Sequence, residues 1–355
     1  MRIALYNLHF ATLGGGERRT ALLSAHLAQA HEVTIFSASP LDTESIRNLF
    51  GIDLSRLNNL VLPASELDHA AAIAAWNPDL FINNSYCSRL PCPAPRGVYM
   101  CMFPEGKPEG LEGYQVVTAN STYTQRWIAL VWGRASEVVY SAVESMGPAA
   151  PKEKIILSVG RFQSNSGTNH FKHQDLLLKT FHRLQWEIDS SWEMHFVGTV
   201  GSQRGDRPYA EALVRRAAHP NVHLHFGLSL TDLRELYRRS ALYWHATGYG
   251  DLAGSHPARQ EHLGMTILEA MSAGAVPLAF RGGGPCETIV HGTSGFLWTH
   301  PADLLKQTRN LIANDDLRSA MSGEAIQRSR QFDKSQYLQR MDAIISRIFA
   351  SSAWH

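Results

Sequence analysis

The chain is predicted to be an α/β protein of two doubly wound parallel-sheet domains with a ligand cleft between them. Three observations predict it. A length of 355 residues suits about two domains at roughly 150 residues each. Apolar runs of strand length alternate with amphipathic helix patterns in both halves, as a parallel sheet covered by helices requires. A stretch rich in Pro, Ala and Gly near 144–153 interrupts the alternation, which then restarts.

The elements follow in order. RIALYNL (2–8) reads as a buried strand, and GGGERRTALLSAHLAQAH (14–31) as a glycine turn leading into an amphipathic helix. EVTIFSA (32–38), DLFINN (79–84) and RGVYMCMF (96–103) are further apolar runs bounded by turn residues. YQVVTANSTYTQRWIALVWG (114–133) gives strand, turn and helix, and SEVVYSAV (136–143) closes the first half. The second half begins with strand KIILSVGRF (154–162), helix QDLLLKTFHRL (174–184) and strand WEMHFVG (192–198). Helix YAEALVRRAA (209–218), strand NVHLHFG (221–227), helix LTDLRELYRRS (230–240) and strand ALYWHAT (241–247) continue it. A helix over 266–272, strand AVPLAF (275–280) and further helices complete the chain. The expected domains are 1–148 and 149–335. In tandem sheets of this kind, ligands bind at the carboxyl ends of the strands, so a site in the intervening cleft is expected.

Composition narrows the class. With 44% hydrophobic and 18% charged residues, the chain is an ordinary globular protein. The balance of 33 basic against 32 acidic residues argues against a dominant nucleic-acid surface. No run approaches the ~20 apolar residues that span a bilayer, and the start, MRIALYNLHF, lacks a signal-peptide pattern. The expected location is the cytoplasm, with loose membrane contact compatible. Cys87, Cys92, Cys101 and Cys286 fit no zinc spacing and are expected to be reduced thiols.

The chemistry-bearing stretches lie where strands give way to helices. In EHLGMTILEA (261–270), Glu261 precedes a helix, Gly264 and Met265 stand at its entry, Thr266 begins it and Glu269 lies about a turn inside. A helix start offers unpaired N–H groups and partial positive charge, and glycine lets a ligand approach the backbone. Two acceptor carboxylates beside those donors suit a polyhydroxyl ligand such as a sugar and a ribose, with Glu261 hanging over the mouth of the cleft. The alternative is a first acid that serves the helix dipole and a second on a solvated face. Arg161 follows a strand, and Lys172 and His173 precede a helix; together such cations could neutralise a diphosphate. Alternatively they are a loop arginine and a surface lysine. No D-x-D occurs in the chain, so protein cations rather than a metal are expected to hold the diphosphate. Gly14, Gly15 and Gly16 join the first strand to the first helix without forming G-x-G-x-x-G. They would expose amides at a helix start, or simply make a tight turn. The triplet in RGGGPCETIVHGTSGFLW (281–298) reads as a turn with a capping acid, Glu287, or as part of the site, and Met102 and Phe103 read as core.

In joint order these elements resemble glycosyltransferase family 4, with the GT-B fold. The carriers are GGGE, ANSTYTQRWI, VGRF…FKHQ, WHATGYG, EHLGMTILEAMSAGAVPLAF and GGGPCETIVHGTSGFLW. The resemblance runs over nearly the whole chain, densest from about 152 to 298, and the E-x₇-E element falls on Glu261 and Glu269. It implies a retaining, metal-independent transferase that uses a nucleotide-activated sugar, with a saccharide or lipid-linked acceptor of cell-envelope polysaccharide synthesis and no cofactor. By motif, Glu269 would hold the ribose, and Glu261 would face the donor sugar with the amides that follow Gly264. Arg161 and Lys172 would bind the diphosphate, and Gly14, Gly15 and Gly16 would line the cleft. The family's basic position aligns equally with His173. This chain has Ser141-Ala142 where many relatives have Pro-Pro, and Met102 near a position that is histidine in some. The final helix, from about 336 to 355, would return to the first domain. A nucleotide-sugar epimerase of the same fold and a catalytically silent sugar-binding protein are the alternatives.

Overall fold

The computed structural model describes residues 1–148, 150–165, 170–186, 191–251 and 254–350. Contacts divide the chain into two compact units, Met1–Ala142 with Lys334–His355, and Val143–Asp333. The sequence places the first division after 148. In the structure, Val143 already bridges Asp333, and the Met146 amide donates to Ser272 Oγ at 3.1 Å, both within the second unit.

The first unit contains β1 (Arg2–Tyr6), α1 (Gly15–Leu27), β2 (Glu32–Ser37), α2 (Thr43–Phe50), β3 (Asn58–Val61), α3 (His69–Ala75), β4 (Leu80–Asn83), β5 (Gly97–Cys101), β6 (Val116–Ala119), α4 (Thr122–Trp132) and β7 (Glu137–Val138). Its strands form one parallel sheet in the order β3-β2-β1-β4-β5-β6-β7. Both faces of β1 are buried, as a sheet covered on two sides requires. Ile3 and Leu5 pack with Leu23 and Leu27 of α1, while Ala4 and Tyr6 share the opposite core with Phe81, Ile128 and Trp132. The elements α2, β3 and α3 have no counterpart among the stretches expected from the sequence. Each is short, and β3 is an edge strand of which Leu60 and Val61 are largely exposed, so no apolar periodicity marks it.

The second unit contains β8 (Glu153–Val159), α5 (Gln174–Gln185), β9 (Glu193–Gly198), α6 (Asp206–Arg216), β10 (Val222–Phe226), α7 (Leu230–Arg239), β11 (Ser240–His245), α8 (Met265–Ser272), β12 (Val276–Phe280), α9 (Pro285–Thr288), β13 (Phe296–Trp298), α10 (Pro301–Ala313) and α11 (Asp315–Ser329). Its parallel sheet runs β10-β9-β8-β11-β12-β13. Counted from β8, this is the 3-2-1-4-5-6 order of a dinucleotide-binding sheet, reversing between β8 and β11. One core of aliphatic and aromatic side chains, with Phe181, Phe196, Trp244 and Trp298 fully enclosed, fills it.

The last helix, α12 (Lys334–Ala350), belongs to the first unit. Tyr337, Met341, Ile344, Ile345 and Ile348 recur at helical spacing and join the core beneath β1 and α1. His26 of α1 meets Asp342 at 2.9 Å, and Arg347 pairs with Glu137. The helix begins two residues before the expected 336, and 351–355 lie outside the described residues. All four cysteines are free thiols. Among the described residues, no helix is long and apolar enough to cross a membrane.

Candidate active site

The reversal of strand order between β8 and β11 leaves a crevice at their carboxyl ends, and the predicted residues of the second unit gather there. Gly160 and Arg161 follow β8, and His245 ends β11. Gly160 is small by necessity, because a Cβ there would stand 2.9 Å from Cγ of Lys172. A Cβ on Gly198 would stand 2.1 Å from the Gly160 carbonyl oxygen. The buried Gln174 side chain, in the first turn of α5, donates to the carbonyls of Gly160 (3.3 Å) and Arg161 (2.9 Å), and Tyr209 donates to it in turn at 3.1 Å. The Arg161 backbone is thus fixed while the residue remains exposed.

Lys172 Nζ donates to Glu261 Oε2 at 2.9 Å, and His245 Nε2 lies 3.2 Å from the same oxygen. Thr247 Oγ1 lies 3.2 Å from that nitrogen. Burial drives the Glu261 carboxyl up, but Lys172 and His245 outweigh it and hold it well below the usual carboxylate range. Burial pushes the His245 imidazole down against the opposing pull of Glu261, so the ring is neutral near pH 7 and Lys172 is the cation of the group. An ammonium has three donors, and Glu261 takes one.

This corrects one expectation. Glu261 does not hang over an open mouth; only 14% of its side chain is exposed, and its backbone is clasped. The Gly284 amide donates to the Glu261 carbonyl at 2.7 Å, and a Cβ on Gly283 would stand 2.1 Å from that oxygen. With φ of +62° at Gly283, the triplet 282–284 is a clasp for the segment that carries Glu261.

Gly264 caps α8 in the left-handed region at φ +88°, where a Cβ would also meet Ile267 Cδ1 at 2.8 Å. Met265 and Thr266, half-buried, supply first-turn amides that an α-helix does not use internally. Glu269 is buried, not on a solvated face, and accepts from Tyr237 Oη at 3.0 Å.

His173, the other residue at the basic position, is set apart from Lys172. It stands in the left-handed region at φ +51°, its ring 4.3 Å from Phe171 and 5.9 Å from Tyr249 between centroids. Burial lowers its basicity.

In the first unit, Gly14 caps α1, with Gly15 and Gly16 in the first turn. The Gly14 amide donates to Glu17 Oε2 at 2.9 Å, and Thr12 Oγ1 donates to the same oxygen at 2.9 Å. The buried Glu17 carboxylate answers the positive end of this helix through the Gly14 amide, while Gly15 stays exposed. A Cβ on Gly16 would stand 2.8 Å from Met102 Sδ.

Sequence reasoning missed Gln174, Tyr237 and His245 as site residues. His245 carried a signal: a histidine ending an otherwise apolar strand at the point of reversal. Gln174 closes the FKHQ stretch that carries the resemblance, and Tyr237 carried no signal.

Two doubly wound sheets of this topology define the GT-B class of α/β proteins. The chain belongs to the family described as glycosyl transferases group 1, whose model matches residues 145–328. It is 26% identical over 246 residues to the GDP-Man:Man(3)GlcNAc(2)-PP-Dol alpha-1,2-mannosyltransferase of Dictyostelium discoideum, an alignment covering 63% of this chain and 45% of that protein. The chain therefore spans less than half the length of that relative. Anabaena Alr3699/HepE, solved in complex with UDP, superposes with a TM-score of 0.75 at 17% identity, over 98% of this chain and 100% of that one. The sucrose-phosphate synthase of Thermosynechococcus elongatus does so with a TM-score of 0.74 at 16% identity, over 99% and 100%.

Proposed function

We propose that the protein is a retaining glycosyltransferase that moves a sugar from a nucleoside-diphosphate sugar to a saccharide or lipid-linked acceptor of cell-envelope polysaccharide synthesis. The observation that carries this reading is the Lys172 ammonium, held at 2.9 Å by Glu261 beside the β8 terminus, with two donors left for phosphate oxygens. Arg161 adds a planar fork. Negative charge grows on the diphosphate as the glycosidic bond breaks, and fixed cations stabilise it there. The acceptor attacks from the leaving-group face and the departing phosphate takes its proton, so no protein base is needed. The first-turn amides of α8 and Glu261 face the sugar, and Glu269 receives the ribose hydroxyls. The mannosyltransferase relative is named for GDP-mannose and a dolichol-linked acceptor, and the Anabaena structure holds UDP, which supports a nucleotide-sugar donor. The protein works at the cytoplasmic side, with peripheral membrane contact.

Transfer is expected to need no metal: the chain has no D-x-D, and Arg161 and Lys172 are the cations offered to the diphosphate in its place. Activity is expected to survive EDTA, and a thermal-shift panel of nucleoside diphosphates is expected to raise Tm for the base the site accepts. Loss of activity on chelation, restored by Mg²⁺ or Mn²⁺, would show that the cations do not suffice. Donor incubated alone is expected to be slowly hydrolysed; formation of an epimer would establish the epimerase reading instead.

Glu269→Ala is expected to weaken donor binding by about 1–3 kcal/mol, the worth of a charged acceptor, seen as a raised donor KM. Unchanged KM and kcat would remove Glu269 from the site.

A further inference from the structure

At one edge of the second sheet, β10 and its neighbour β9 carry residues that the transferase reading does not use. The sequences are E-M-H at 193–195 and H-L-H at 223–225. Alternate residues of a strand share a face, and His223 stands opposite His195 in the ladder. Glu193, His195, His223 and His225 therefore lie on one face of the two strands.

Their donor atoms converge. Glu193 Oε2 lies 3.0 Å from His195 Nε2 and 3.6 Å from His223 Nε2. One atom from each of the three residues falls within 4.8 Å of the others. A tetrahedral ion about 2.0–2.1 Å from each ligand holds the ligands roughly 3.3–3.5 Å apart. We propose that Glu193, His195 and His223 form a binding site for a zinc-class divalent transition metal that staples the edge strand β10 to β9.

The surroundings favour this chemistry. Two imidazoles with one carboxylate suit zinc-class ions rather than calcium or magnesium. His225 Nε2 lies 3.1 Å from His195 Nδ1, so His225 can accept the Nδ1 proton and leave the Nε2 lone pair of His195 for the ion, serving as the acceptor that orients a metal-bound histidine. Glu193 and His223 are 44% and 38% exposed along their side chains, which leaves a path from solvent. The competing arrangement is a hydrogen-bonded chain in which His225 donates to His195 and His195 to Glu193. It leaves His223 Nε2 buried with no hydrogen-bond partner; a metal ion gives that nitrogen a partner.

The test uses the full chain stripped of metal, titrated with ZnCl₂ and followed by native mass spectrometry and thermal shift. Expected are one ion per chain and a Tm rise of at least about 2 °C under saturation. His223→Ala and Glu193→Gln should abolish both effects, and His225→Ala should weaken binding by about 10-fold to 100-fold. His31→Ala, in the first unit, should leave both unchanged. If His223→Ala fails to fold, the milder Glu193→Gln carries the test. Absence of binding to the wild type, or binding undiminished in Glu193→Gln, overturns the site. Neither readout involves sugar transfer, so its failure leaves the transferase reading standing, and the reverse.

Discussion

Lys172→Ala and Arg161→Ala are each expected to lower kcat by about 100-fold or more, with a smaller change in donor affinity. The diphosphate carries more negative charge in the transition state than in the bound donor, so a cation that touches it is worth most at the barrier. The structure separates the two residues that the motif leaves interchangeable. Lys172 reaches Glu261 at 2.9 Å, whereas His173 is packed against Phe171 and Tyr249 and burial disfavours its charge. His173→Ala is therefore expected to leave kcat nearly intact. Should His173→Ala be the damaging variant and Lys172→Ala the mild one, the role shifts by one residue. If all three variants keep full kcat, the diphosphate is held elsewhere.

Glu261→Ala is expected to cost both activity and stability. Removing the carboxylate strands Lys172 and His245, whose side chains are only 21% and 3% exposed. Breaking a largely buried pair from one side costs about 3 kcal/mol or more; with partial solvent access, about 2–3 kcal/mol is expected. That corresponds to a Tm loss of about 5 °C or more. The pH dependence has a definite sign. Glu261 is held below its ordinary range, so its contribution is full above about pH 4.3 and lost as pH falls toward the folded value. His245 is also lowered, so its neutral burial stabilises above about pH 6.5 and is lost on acidification below that. Wild type should lose stability in both windows and Glu261→Gln less steeply in the lower one, since other lowered carboxyls such as Asp42, Asp53 and Asp303 remain, as urea titrations at a series of pH values would show. An unchanged acid limb in Glu261→Gln would mean that Glu261 does not carry the low-pH stability.

Much of this was legible in the residues. Fully apolar runs such as those of β1, β8 and β12 mark strands buried on both faces, and the alternation with helices sets a parallel sheet. The E-x₇-E element located α8, with Glu261 before it and Glu269 within it. Less legible was the stretch from 43 to 75, where β3 is exposed, α3 is a short alanine-rich helix and α2 buries only Ile46 and Phe50. The division between units was also obscure, since the ties of Val143 to Asp333 and of Met146 to Ser272 join residues far apart in sequence.

The sequence by itself determined the α/β class, the restart near 150 and the identity of the cations and carboxylates, because period and residue chemistry are local properties. Only the tertiary structure decided which of them meet. It turned Glu261 inward onto Lys172 and His245, gave Glu269 the Tyr237 hydroxyl, and capped the first glycine loop with Glu17. It also brought two histidine-bearing strands into register about Glu193. These pairings depend on strand order and on the close backbone approach at Gly160, Gly198 and Gly283, and a steric contact between distant segments leaves no periodic trace along the chain.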